Sequence, residues 1–145
     1  MKIINQYLQE SKLSSKVIRL LDKEYEVDPF PSSTIKIIER ELKFKLTDDY
    51  KQLILRYGFL SDGNTISGIT DKKLRYKQFE NVLFLNKSML KKSIKGMICI
   101  SYENKFKKLL FIDSDSIIYS TNYQMSDKPK KMFNSLSELI LKMKK

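Results

Sequence analysis

Between residues 33 and 58 the chain carries two apolar stripes of helical period that meet at a short corner, and this pairing constrains the fold more than any other feature. Ile35, Ile38 and Leu42 recur at i, i+3 and i+7, which places them on one face of a helix. Ahead of them Pro29 and Pro31 push their predecessors out of the helical region, and Ser32 or Ser33 offers a hydroxyl to cap the first turn. The spacing predicts a helix from about Ser33 to Phe44. Leu46 and Thr47 break the period, and a second helix is predicted to open with Thr47 as its N-cap. Asp48 and Asp49 then lie in its first turn, where carboxylates meet the positive end of the helix dipole. Tyr50, Leu53, Ile54 and Tyr57 form its buried stripe, and Gly58 follows where a helix stop needs a positive φ. Two helices with one apolar stripe each need a further surface to cover them.

That surface is predicted downstream. MICIS (97–101), KKLLFID (107–113) and SIIYS (116–120) are short runs rich in β-branched or aromatic residues with polar turns between them, as in an antiparallel meander. Ile66 and Ile69 flank Ser67 and Gly68 in another predicted strand. FENVLFLNKSMLKK (79–92) reads either as a strand to Leu85 followed by a helix from Asn86, or as one helix throughout. KPKK (128–131) reads as a loop, and FNSLSELILKM (133–143) as a closing helix with Leu136, Leu139, Ile140 and Met143 on its buried face. At the other end, Val17, Leu20 and Leu21 mark a helix separated near Ser14 from an earlier one around Ile4 and Leu8. The expected architecture is α+β: N-terminal helices packed against a mainly antiparallel sheet, with a C-terminal helix, in one domain over residues 1–145.

Composition narrows the chemistry. The chain has no histidine, which excludes Ser-His and Cys-His catalysis and histidine-bearing zinc motifs. Its one cysteine, Cys99, sits inside MICIS and reads as a small buried hydrophobe. No apolar run approaches the roughly 20 residues of a membrane span, and MKIINQYLQESK lacks the apolar stretch of a signal peptide, so the expected location is cytoplasmic. The formal net charge is +11, and it is uneven: residues 1–64 hold 11 basic and 10 acidic groups, residues 65–145 hold 17 and 7. Such a field speeds association with an anionic partner. Lysines outnumber arginines 24 to 4, which also fits the codon bias of an AT-rich genome.

In order along the chain, Ile35, Ile38, Glu39, Leu42, Leu46, Asp49, Tyr50, Lys51, Leu53 and Ile54 make the pattern I-x-x-I-E-x-x-L-x-x-x-L-x-x-D-Y-K-x-L-I. This resembles the signature of the SUKH superfamily, the Smi/Knr-type group that includes a yeast cell-wall synthesis regulator and many bacterial immunity proteins. Tyr57-Gly58 and ISGI with Gly68 resemble the family's glycine turn and first strand. MICIS and LLFID, ending at Asp113, resemble its strand pair, and FNSLSELI its closing helix. The family-like part covers residues 33–145, and residues 1–30 are less constrained. Thr47 stands where the family usually has proline, and the glycines frequent between its late strands are missing from YENKFKK and DSDS. The resemblance implies an immunity protein that binds and neutralises a cognate polymorphic toxin by occluding it, a monomer or weak dimer with no cofactor and no catalysis of its own.

Several residues invite a chemical role. Asp113 and Asp115 lack the third oxygen ligand, central glycine and final glutamate of a calcium loop, so they read as turn formers. SDGNTISG lacks the Lys-Ser/Thr of a phosphate loop. Glu39 reads either as the partner of Lys43 one turn on or as a cap for the neighbouring loop. For partner binding, Lys72, Lys73, Arg75, Tyr76 and Lys77 interleave charge with an aromatic ring, and Lys105 and Lys107 form a second basic cluster. The expected partner is a toxin with an acidic surface patch; a nucleic-acid-binding module is the second expectation from the same charge.

Overall fold

The computed structural model describes residues 12–27, 29–61, 64–69 and 81–144. Helix α1 (Ser15–Glu24) begins at Ser14, whose hydroxyl accepts the Val17 N–H at 3.2 Å. Helix α2 spans Ser33–Leu42 and stops there because Lys43 turns left-handed at φ 51°, two residues short of the sequence expectation. Helix α3 (Asp48–Tyr57) follows the corner and ends at Gly58, as the sequence reading expects. The stop is sharper than an ordinary left-handed cap: Gly58 lies at φ 81°, ψ −67°, the rare γ region.

Strands β1 (Leu60–Ser61) and β2 (Thr65–Ile66) make a small hairpin. A four-stranded antiparallel sheet follows in the order β3 (Met97–Ser101), β4 (Leu109–Asp113), β5 (Ile118–Thr121), β6 (Lys130–Phe133). The first three are the expected meander. The fourth corrects the reading of KPKK as a loop and of Phe133 as helical. Lys131 pairs with Tyr119 and Lys130 with Ser120, and the outermost strand of a sheet tolerates lysines. The β5–β6 turn is closed by the Asn122 N–H donating to Asp127 Oδ1 at 3.0 Å and the Ser126 N–H to Asn122 Oδ1 at 2.9 Å. Helix α5 (Leu136–Met143) then starts at the Ser135 cap, whose Oγ accepts the Glu138 N–H.

The segment left open in the sequence is a short helix, α4 (Val82–Phe84), running into a π-turn at Leu85–Met89. Asn86 explains the widening. Its Nδ2 donates to Val82 O at 2.9 Å and to Cys99 O at 2.8 Å, while its Oδ1 accepts the Cys99 N–H at 2.8 Å. One side chain thus engages both backbone groups of a β3 residue.

The sheet is covered on both faces. Ile98, Ile100, Leu110, Ile112 and Ile118 meet the stripes of α1, α2, α3 and α5 in the main core. Cys99, Leu109 and Phe111 on the other face pack with Leu85 and Met125. Double coverage is why β3 and β4 are apolar throughout instead of alternating. Helix α1 is fastened by the Leu13 N–H to Gln52 Oε1 (2.9 Å), the Ser14 N–H to Ser137 Oγ (3.0 Å) and Lys144 Nζ to Glu24 Oε2 (2.6 Å). The fold class is α+β, as expected, and among the described residues no helix is long and apolar enough to cross a membrane.

Candidate functional site

The residues of the sequence pattern lie on α2, α3 and the corner between them, and several of them hold that corner. Leu42 is half-buried, while Leu46 and Leu53 are buried. Glu39 Oε2 accepts the Leu46 N–H at 2.8 Å, so it caps the loop and does not pair with Lys43. Thr47 is the N-cap in position only: its hydroxyl donates to Asp49 Oδ1 at 2.6 Å, and that same oxygen accepts the Tyr50 N–H at 2.8 Å. Asp49 also accepts the Ser116 hydroxyl at 2.5 Å, a link across 67 residues to the β4–β5 turn. Burial pushes the Asp49 carboxyl above the usual range, opposed by these donors. Asp113 holds that turn by accepting the Asp115 and Ile117 N–H groups at 2.9 and 3.0 Å.

Tyr50 and Tyr57 lie on the buried stripe as expected, but their hydroxyls reach different surroundings. Tyr50 is fully buried and its hydroxyl donates to Ser67 O. The Tyr57 hydroxyl donates to Asp22 Oδ1 at 2.6 Å, beside a two-pronged Arg56–Asp22 contact at 3.0 and 2.8 Å. The hydrogen bonds from Arg56 and Tyr57 hold the Asp22 carboxyl below its ordinary value. Cys99 is buried, and desolvation pushes its thiol up to about 12.

The glycine-free loops YENKFKK and DSDS nonetheless contain conformations that glycine favours. Lys107 lies at φ 56° in one and Ser116 at φ 65° in the other.

Of the basic residues expected to meet a partner, Lys72, Lys73, Arg75, Tyr76 and Lys77 lie outside the described residues. Lys107 is exposed. Lys105 is exposed too, but its Nζ donates to Lys142 O at 3.1 Å near the C-terminal end of α5, where a cation complements the helix dipole.

Sequence reasoning missed a different basic cluster. Lys92, Lys95 and Lys128 line a cleft of about 400 Å³ with Ile94, Met125 and Pro129. Lys131 shares with its register partner Tyr119 the sheet face on which Met125 packs. Lys91 and Lys130 are exposed beside these in the chain. Among the described residues no carboxylate pairs with any of the six lysines. The signal was present as KKSIK and KPKK, two clusters whose first residues are 37 apart and that only the packing of the β5–β6 turn against the segment after the π-turn brings together. A larger cleft of about 790 Å³ between α3, α5 and the β4–β5 turn is mixed in charge, with Lys12, Lys45 and Lys51 set against Asp48, Asp49 and Asp115.

No protein-family model, no curated protein and no solved structure matches the chain.

Proposed function

We propose that the protein is a SUKH-like immunity protein that binds a cognate bacterial toxin domain and blocks it sterically, acting in the cytoplasm of the cell that makes the toxin. The observation that carries this reading is the division of labour among polar groups. Asp49, Asp113, Glu39, Tyr50 and Tyr57 are engaged in hydrogen bonds that lock the fold, whereas the exposed lysines of the Lys92–Lys95–Lys128 cleft have no carboxylate partner among the described residues. A rigid body with an uncompensated basic surface is suited to recognising an acidic patch on another protein, gaining association rate and selectivity from the charge. Catalysis, by contrast, needs a group free to change its bonding.

The test is expression beside the toxin domain encoded by a neighbouring gene. The expected result is a stoichiometric complex, restored growth of the toxin-expressing cells, and an association rate that falls with added salt. Toxin activity undiminished by excess protein overturns the reading. The same lysines favour nucleic-acid binding as the second reading. A salt titration against random oligonucleotides separates the two, because phosphate-driven binding weakens steeply with salt and needs no protein partner.

A further inference from the structure

We infer that the Lys92–Lys95–Lys128 cleft is the docking site for an acidic loop of the partner, one carrying carboxylates on either side of an apolar side chain. This rests on the reading of the protein as an inhibitor and adds the location and chemistry of its contact. The cleft is lined both by the apolar side chains of Ile94, Met125 and Pro129 and by the lysines Lys92, Lys95 and Lys128. Ser93 and Ser126 add neutral hydrogen-bonding groups. The one carboxylate in the lining, Asp127, accepts the Asn122 N–H at 3.0 Å and so belongs to the turn that shapes the site. In the lining, three ammonium groups stand against that single carboxylate.

The lining favours a protein over a nucleic acid. None of its residues is aromatic, whereas single-stranded nucleic acid is gripped by stacking bases on rings along a continuous basic groove. A volume of about 400 Å³ suits one large side chain and its flanks. An apolar anchor inside a charged rim is the usual anatomy of a contact hot spot. The surroundings are also braced: Met125 is buried, and the Asn122–Asp127 turn is closed by hydrogen bonds at both ends.

The probe is a capped peptide of sequence Glu-Glu-Leu-Glu-Glu, titrated into the ¹⁵N-labelled full chain. Amide signals of residues 92–95 and 125–128 are expected to shift, and the double variant Lys95→Glu/Lys128→Glu, whose substituted side chains are exposed, to weaken binding at least about tenfold while leaving the rest of the spectrum in place. The inference is overturned if the shifts map elsewhere, if the peptide with glutamine in place of glutamate binds equally well, or if a ten-residue oligo-dT occupies the same amides more tightly. A toxin complex indifferent to the double variant removes this surface and leaves the immunity reading standing. Peptide bound at the cleft with no toxin neutralisation does the reverse.

Discussion

A β-carbon placed on Gly68 would lie 1.9 Å from the carbonyl oxygen of Gly58, the same oxygen that accepts the Ile69 N–H at 3.0 Å. The turn after α3 and the segment after β2 are therefore in backbone-to-backbone contact, at a spacing only glycine permits. Gly68→Ala is expected to destabilise by at least about 3 kcal/mol, because backbone has to move. Gly58→Ala adds positive-φ strain and a 2.9 Å contact with Ile69 O, costing about 2–3 kcal/mol. Gly96→Ala, at φ +85° in open space, costs about 1 kcal/mol. Urea unfolding of the three variants checks the order; equal losses at Gly68 and Gly96 would contradict the contact.

Asp49 makes the stability depend on pH in an uncommon direction. Because burial raises its folded pKa above the unfolded value of 3.8, the folded state binds the proton more tightly, and Asp49's contribution to stability falls as pH rises from 3.8 through the folded pKa. Asn can still accept from Thr47, Ser116 and the Tyr50 N–H, so Asp49→Asn is expected to fare best relative to the parent near neutral pH and to lose that advantage on acidification. Asp49→Ala, which orphans all three donors, should cost about 1–3 kcal/mol at every pH. Melting curves between pH 4 and 7 give the sign; an Asn variant that gains on acidification refutes it.

Asp22 works the opposite way. Its pKa is lowered by Arg56 and Tyr57, so its contribution is present above the unfolded pKa and is lost as pH falls through the folded value. Asp22→Asn is expected to reduce the acid-side loss of stability, read from the same melting curves; an unchanged acid slope would show that the exposed contact contributes nothing.

The left-handed residues offer a gain. Lys107→Gly and Lys43→Gly remove the steric cost of φ 56° and φ 51°, and each is expected to raise stability by about 0.5–1 kcal/mol. Ser116→Gly relieves the same strain but deletes the hydroxyl that reaches Asp49, so its net change should be near zero or negative. Chemical denaturation distinguishes them, and a Ser116→Gly gain matching that at Lys107 would mean that the Asp49 contact is energetically idle.

Cys99 should be inert in the folded protein. With its thiol raised to about 12 and no solvent access, iodoacetamide at pH 8 is expected to modify it at least about a thousandfold more slowly than in denaturant. A native rate within tenfold of the denatured one would show that β3 opens.

The helical corner was legible because its signals are local: stripe and glycine act within a few residues of one another, although neither Ser32 nor Thr47 makes the expected side-chain cap bond. The meander was legible from apolar runs, and so was the α+β class. Strand β6 was not, since lysine favours no strand and only pairing with β5 places Lys130 and Lys131 there. The π-turn was hidden for a related reason: Asn86 widens the helix in order to serve Cys99, thirteen residues away. The basic cleft was the least visible, because it exists only once residues 92–95 and 125–129 are side by side.

Among the described residues the central strands β3 and β4 lie between helices on one side and the π-turn layer on the other. The lysines that stand on the surface beside them can be exchanged singly without touching the packing beneath. The surface charge of such a molecule is therefore free to vary while its interior stays the same.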